Sequence, residues 1–154
     1  MLQKVFYDNG DEYEGKILDG MRHGKGTHFF HDGDLYEGNW QEDLQHGKGT
    51  YYFSETGNKY EGQFEYGRQH GKGAYVYPSG TRLEGKWVHG LRQGRFVRRY
   101  FDGRIGDEEY IDDEMILREK PKQPPPKPSS KPQGAPEREF KGSPVSPRPR
   151  PPKK

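Results

Sequence analysis

One motif recurs along this chain at a nearly fixed spacing. It reads Tyr36-Glu37-Gly38-Asn39-Trp40, followed by His46-Gly47-Lys48-Gly49-Thr50. Moving back by 23 residues gives Tyr13-Glu14-Gly15 and His23-Gly24-Lys25-Gly26, and moving forward by 24 gives Tyr60-Glu61-Gly62 and His70-Gly71-Lys72-Gly73. A weaker copy begins at Leu83-Glu84-Gly85. Such a period marks a repeat protein in which each unit is one small supersecondary element.

Within each unit, aromatic residues and glycine alternate with polar residues. Tyr36, Gly38 and Trp40 fall on one face of the first segment, and Gly49 and Tyr51 fall on one face of the second. Period-2 alternation with aromatic residues is typical of strands, and turn residues separate the segments. We therefore predict an all-β fold, an elongated single-layer antiparallel β-meander of hairpin repeats.

The recurring glycines need a reason, because glycine inside a strand weakens it. Here they share a face with the aromatic residues. A ring from a neighbouring strand can cover a position that has no side chain, the device known as aromatic rescue. We therefore expect a core made of rings that lie on glycine, with no layer of helices packed against the sheet.

The repeats divide the chain into three parts. Residues 1–106 form the array, with a half unit at 5–12 and full units that begin near 13, 36, 60 and 83. Residues 107–120 form a degenerate terminal repeat of the kind that caps stacked arrays. Asp112-Asp113 in front of residues 114–120 predicts a short helix there, because acidic residues favour the first turn of a helix.

From Pro121 the composition changes. Twelve of the 13 prolines lie at or beyond this residue, and residues 121–154 carry a net charge of +7, against −5 for residues 1–120. Low hydrophobicity with many Pro, Lys and Ser predicts a disordered tail with local polyproline II structure. Its Pro-x-x-Pro segments are of the kind that SH3 and WW domains bind.

The motif Tyr-Glu-Gly-x-Trp followed by His-Gly-x-Gly resembles the MORN repeat (membrane occupation and recognition nexus), over about residues 5–106. The resemblance implies a non-enzymatic scaffold with no cofactor. The 24-residue unit that ends in 53–60 is similar to one in the MORN-repeat radial-spoke head proteins of cilia and flagella. That similarity implies a cytoskeletal protein of the ciliary or flagellar axoneme. Alternatives are a peripheral membrane module for anionic phospholipids, or an accessory subunit of a lipid kinase or methyltransferase.

Two surfaces are candidates for binding. In a single-layer sheet the rings would be half covered, so they could form an aromatic groove for a helix, either of a partner protein or of the chain's own 110–119 segment. The opposite face carries basic and acidic ladders, and its cations could bind anions. Unpaired strands at Val5–Tyr7 and near Ile105 would permit an edge-to-edge homodimer. The predicted partner-binding residues are Tyr13, Tyr36, Trp40, Tyr60, Phe64 and Trp87. The predicted anion-binding residues are Lys25, Lys48, Lys72, Arg95, Arg98 and Arg99.

Other chemistry has little support in the sequence. His23, His46 and His70 would lie about 10 Å apart, too far to share one metal ion. The Gly-Lys-Gly-Thr segments lack the spacing of a phosphate-binding loop. No stripe of positive charge dominates the array, so nucleic acid is not an expected partner. The chain has no cysteine, no apolar run of membrane-spanning length and no signal-peptide pattern at its start, so we expect a soluble intracellular protein.

Overall fold

The computed structural model describes residues 2–123, which form one 11-stranded antiparallel sheet whose strands follow chain order. The predicted all-β meander is confirmed. The strands are β1 (Gln3–Phe6), β2 (Glu12–Leu18), β3 (Met21–Phe29), β4 (Leu35–Gln41), β5 (Leu44–Tyr52), β6 (Lys59–Glu65), β7 (Arg68–Val76), β8 (Arg82–Val88), β9 (Leu91–Arg99), β10 (Ile105–Ile111) and β11 (Glu114–Arg118).

A row of glycines crosses the sheet from β2 to β8. Each lies opposite the next in the strand register, so the row is continuous across seven strands. Residues of one parity share a face, and this register puts every glycine on the face that carries the rings. The glycine row consists of Gly15, Gly26, Gly38, Gly49, Gly62, Gly73 and Gly85.

The tyrosine of each repeat lies over this row. A Cβ atom built at Gly49 would overlap the ring of Tyr36. The Tyr36 hydroxyl donates a hydrogen bond to the carbonyl of Asn39 (2.9 Å). This bond keeps the ring parallel to its own strand. Tyr13 and Tyr60 make the same bond to the residue three positions on. The prediction that rings lie on glycine is therefore confirmed, and the hydroxyl explains why the repeat uses Tyr rather than Phe.

These rings belong to a column of eight aromatic side chains in edge-to-face contact. Neighbouring ring centroids lie 4.8–5.7 Å apart, with interplanar angles between 77° and 89°. This geometry is favoured by the ring quadrupoles, and each such pair contributes about 0.5–1.5 kcal/mol beyond burial. The ring column runs through Tyr13, Trp40, Tyr36, Phe64, Tyr60, Trp87, Phe96 and Tyr110.

The fourth repeat keeps this contact but inverts it. Leu83 stands where the tyrosine should be, and Phe96 stands where the neighbouring strand should have glycine. The ring of Phe96 covers Gly85 instead, and a Cβ at Gly85 would overlap it. Leu83 and Phe96 are both fully buried. The degenerate repeat thus places a ring over glycine from the opposite strand.

A buried polar residue in the second strand of each hairpin faces the turn of the next hairpin. Arg22 is buried over the ring of Trp40 and binds Asp43 (2.6 Å) in the turn between β4 and β5. Arg92 binds Asp113 in the same way. Where the turn has Gly67 or Gly90 instead of Asp, the buried residue is glutamine: Gln45 and Gln69, whose amides have no hydrogen-bond partner in the described part of the chain.

The short helix expected between 107 and 120 is wrong. Residues 105–111 and 114–118 form β10 and β11, a fifth hairpin. Asp112 and Asp113 are its turn, with positive φ of 47° and 72°, and they match Glu42 and Asp43 (47° and 71°). Asp tolerates this left-handed conformation, so the pair forms a hairpin turn here rather than the start of a helix.

The free edges differ from the expectation on one side. β1 is an edge strand, as expected for Val5–Tyr7. Ile105 is not at an edge, because it lies opposite Arg99 on one side and Lys122 on the other. The second edge is β11, where Met115, Ile116 and Leu117 are exposed. Edge-to-edge dimerisation stays a prediction. Of the tail predicted from residue 121, residues 124–154 lie outside the described residues.

Gly49→Val tests the ring-over-glycine contact. The added side chain overlaps the Tyr36 ring and displaces its hydrogen bond, so we expect the free energy of unfolding to fall by about 3 kcal/mol. Urea denaturation measures this loss. Lys48→Val is the matched control, because Lys48 is the exposed neighbour on the opposite face and the change should alter stability by less than about 0.5 kcal/mol. Equal losses in both variants would contradict the packing.

Candidate interaction face

The six rings predicted to bind a partner form the core of the sheet. Their exposed fractions lie between 0% and 3%, so the expectation that they are half covered is wrong. The neighbouring rings of the column and a second line of rings, including Phe30, Tyr51 and Tyr75, cover them. Tyr13, Tyr36, Trp40, Tyr60, Phe64 and Trp87 therefore offer no open aromatic groove on the described sheet.

The opposite face, called here the charged face, carries two ordered rows of charge. In each strand the residues on either side of the glycine row point away from the rings, and the common register lines them up across the sheet. The basic row, on the hairpin-turn side of the glycines, consists of Lys16, Lys25, Lys48, Lys72, Lys86 and Arg95. The acidic row, on the other side, consists of Glu14, Glu37, Glu61, Glu84 and Asp107.

The spacing of the rows follows from sheet geometry. Equivalent residues in successive repeats are two strands apart, about 10 Å. Basic and acidic rows are separated by two residues along a strand, about 7 Å. A groove of roughly 690 Å³ lies between them, with Lys25, Lys48 and Lys72 on one side and Glu37 and Glu61 on the other. The backbone of Gly38, Gly49 and Gly62 lines its floor.

The cations of the basic row are available to a ligand. All six are exposed, and none forms an ion pair with another of residues 2–123. Lys72 lies directly opposite Lys86 on the neighbouring strand, although like charges in such a pair destabilise a sheet. An acidic group between the two lysines would remove this repulsion.

The predicted anion-binding residues divide into two groups. Lys25, Lys48, Lys72 and Arg95 lie in the basic row, as expected of a common face. The expectation is wrong for Arg98, which is buried, binds Glu108 (2.6 Å) and covers the ring of Tyr77. Arg99 is exposed but binds Glu84 (2.8 Å). Lys16 and Lys86 were missed, although each stands next to a repeat glycine in the sequence.

The repeated histidines lie near hairpin turns and do not converge. His70 accepts a hydrogen bond from the backbone N–H of His89 (3.2 Å) and contacts Glu65 (3.1 Å), as expected of a residue that fixes a turn. The ring of His46 packs against Tyr66. Between residues 2 and 123 no group of three or more His, Asp or Glu side chains has the arrangement of a metal site.

A buried histidine that the sequence reasoning missed lies near the first edge of the sheet. His28 occupies the repeat position of Tyr51 and Tyr75, and this equivalence was the available signal. Its Nε2 contacts Asp11 (2.9 Å), and Arg22 donates to Nδ1 (3.1 Å), so Nε2 carries the proton. Burial lowers the pKa of His28 to about 4, although the bond to Asp11 opposes this.

Asp11 is the anion of this cluster. Burial alone would raise its pKa, but hydrogen bonds from His28 and His31 hold the pKa at about 2. His31 bonds the same carboxylate through its backbone N–H (2.8 Å) and its ring (2.9 Å). The cluster ties the turn between β1 and β2 to the turn between β3 and β4.

The comparison with protein-family models agrees with the repeat geometry. The MORN repeat matches residues 13–35, 36–55, 60–82 and 84–103, more than half of the chain. The chain belongs to the MORN repeat family. Members of this family are generally non-catalytic, and their repeats suggest a protein-interaction or membrane-binding module. The match does not extend to β10 and β11, which the structure adds as a further hairpin of the MORN array.

No curated protein sequence matches the MORN chain. Among solved structures, the SAS-4 (dCPAP) TCP domain in complex with a proline-rich motif of Ana2 (dSTIL) of Drosophila melanogaster is similar, at 18% identity and a TM-score of 0.42. The alignment covers 70% of this chain and 72% of that one.

The His28 cluster predicts that acid destabilises the MORN array. Unfolded His28 has its ordinary pKa of 6.5, so below that pH the unfolded chain binds a proton that the folded chain excludes down to about pH 4. The free energy of unfolding should therefore fall as pH drops through this window, by on the order of 3 kcal/mol. Urea titrations between pH 7 and pH 4 measure the slope.

His28→Gln is the informative variant for this pH dependence. The amide can donate to Asp11 and accept from Arg22 without titrating, so we expect most of the slope above pH 4 to disappear. His46→Gln, a change at a partly exposed position of β5 near its hairpin turn, serves as the matched control and should keep the pH dependence. An unchanged slope in the His28 variant would show that other groups cause the acid effect.

Proposed function

We propose that this MORN protein is a non-catalytic scaffold that binds a segment of a partner protein along the groove of its charged face. The observation that carries the proposal is the groove of roughly 690 Å³ between the basic row and the acidic row. A segment that lies across the strands meets cations on one side and carboxylates on the other, each repeated about every 10 Å.

The spacing limits the form of the partner. An extended segment advances about 10 Å in three residues, and a helix does so in seven. A partner with acidic residues on one side and basic residues on the other, at either period, would match the charges of the groove. Charge complementarity of this kind gives specificity and register.

A second candidate function is binding to membranes that contain anionic phospholipids. The unpaired cations of the basic row support it. The acidic row opposes it, because carboxylates about 7 Å away would face the same anionic surface. No helix among residues 2–123 has the length and apolarity needed to cross a bilayer. We therefore propose the protein-binding function first.

The location in the cell is a separate proposal. We propose the ciliary or flagellar axoneme, because the lengthened turn at 53–60 resembles that of a 24-residue unit in the radial-spoke head proteins. Proximity labelling in a ciliated cell, with the protein fused to a biotin ligase, would test it. Enrichment of axonemal proteins is the expected result. Labelling of plasma-membrane proteins or of a lipid kinase or methyltransferase would favour the alternatives.

Charge reversal tests the proposed groove. We expect Lys48→Glu/Lys72→Glu to lose the proteins that the parent protein captures, since both side chains line the groove. Lys120→Glu/Lys122→Glu is the matched control, with the same change of charge away from the groove, and should retain them. Quantitative mass spectrometry after affinity capture gives the comparison.

Vesicle flotation separates the two candidate functions. The parent protein should stay with the soluble fraction when mixed with phosphoinositide vesicles at physiological salt. Stable flotation that the Lys48→Glu/Lys72→Glu variant loses would replace the scaffold proposal by the membrane one. Identical capture by both reversal variants would rule out the groove as the binding site.

A further inference from the structure

A small pocket lies at the first edge of the charged face. Its volume is about 180 Å³, and residues of β1, β2 and β3 line it. Phe6 and Phe29 supply two rings that are 67% and 42% exposed. Most of the other aromatic rings in the described residues are buried. Glu12 and Glu14 stand beside them. The register explains the cluster, because Glu12 lies opposite both Phe6 and Phe29.

The pocket has a net negative charge. Glu12 and Glu14 are exposed, and neither forms an ion pair with another described residue. Lys4 also lines the pocket and lies opposite Glu14 in the register. One cation among two carboxylates leaves a charge of −1, and Glu37 of the acidic row follows two strands further on.

Exposed rings beside carboxylates suit one class of ligand. Proline packs its apolar ring against aromatic side chains, and proline-rich segments already favour the extended conformation in which they bind, so little entropy is lost. Arginine or lysine next to the prolines would meet the carboxylates and can stack on the exposed rings. The chemistry of this pocket therefore fits a segment rich in both proline and basic residues.

The chain itself contains such a segment. Residues 144–154 include five prolines and four basic residues, and no acidic residue. Residues 124–154 together carry eight basic and two acidic groups, a net charge of +6. The end of the chain is thus complementary to the pocket both in charge and in proline content.

The place where the described chain ends allows this contact. Lys122 pairs with Ile105. Following the register from strand to strand leads from Ile105 to Glu12, so both residues lie in one row across the sheet and on the charged face, where the pocket opens. The row from β10 to β2 spans eight strand spacings, about 38 Å. Residues 124–143 could extend about 60 Å in a polyproline II conformation, which exceeds that span. The final residues can reach the pocket of their own molecule.

We propose that the pocket formed by Phe6, Glu12, Glu14 and Phe29 binds residues 144–154 of the same chain. The bound segment places prolines on the two rings and basic side chains near the carboxylates. It covers the first edge of the charged face and the N-terminal end of the acidic row. The contact needs no partner protein and stands independently of what the groove binds.

The absence of cysteine allows a direct test on the full chain. Ser146→Cys carries a nitroxide spin label, and paramagnetic broadening of backbone amide signals is measured by NMR. We expect the strongest broadening in residues 3–6, 12–14 and 27–29. Glu12→Gln/Glu14→Gln should abolish it. Glu109→Gln/Glu114→Gln, which removes the same charge from exposed sites on β10 and β11, should leave it intact.

Three outcomes would overturn the proposal. One is the absence of broadening in the pocket residues. Another is equal broadening over the whole charged face, or equal loss in both double variants, which would indicate general attraction between a basic tail and an acidic body. The third comes from a mixture of isotope-labelled chains and spin-labelled chains. Broadening of the pocket residues in that mixture as strong as in the doubly labelled chain would assign the occupant to a second copy.

Discussion

The structure depends on one contact, a ring lying flat on a glycine of the neighbouring strand. A single sheet normally has to bury one face against another layer. Here the tyrosine of each repeat lies along its own strand, held by a hydrogen bond to the carbonyl three residues on, and covers glycine backbone. The edge-to-face ring column then links each repeat to the next. The sheet carries its own core, so no second layer is required.

The same contact orders the charges on the other face. Because each ring must meet its glycine, the strands cannot slip by even one residue without moving the rings to the opposite side. The residues beside the glycines are therefore fixed in register as well. Lys48 and Thr50 flank Gly49. Lys48 belongs to the basic row, and Thr50 lies opposite Glu37 and Glu61 of the acidic row. The groove is thus a consequence of the packing that stabilises the sheet.

Most of the fold could be predicted from the sequence because the signal repeats. The hairpins, the meander and the ring–glycine contact follow from period-2 alternation at a spacing of 23 or 24 residues. The predicted helix after Asp112-Asp113 is wrong because this pair repeats the hairpin turn of Glu42-Asp43, although acidic residues also favour the start of a helix. The degree of ring burial could not be predicted, since it depends on how rings from different repeats pack together. Arg98 shows the same limit, because its partner Glu108 belongs to a strand without the motif.

The departures from the repeat show which parts of it are essential. The fourth unit loses its tyrosine and one glycine together, and Phe96 over Gly85 restores the contact from the other strand. The turn residue and the buried polar residue that faces it also vary together. Asp43 and Asp113 occur with buried arginines, and Gly67 and Gly90 occur with buried glutamines. A buried guanidinium without its carboxylate would be strongly destabilising, whereas a neutral amide costs less. What persists across the repeats is thus the complementary pair rather than any one residue, and a repeat can degrade in sequence while its hairpin still pairs, packs and keeps its neighbours in register.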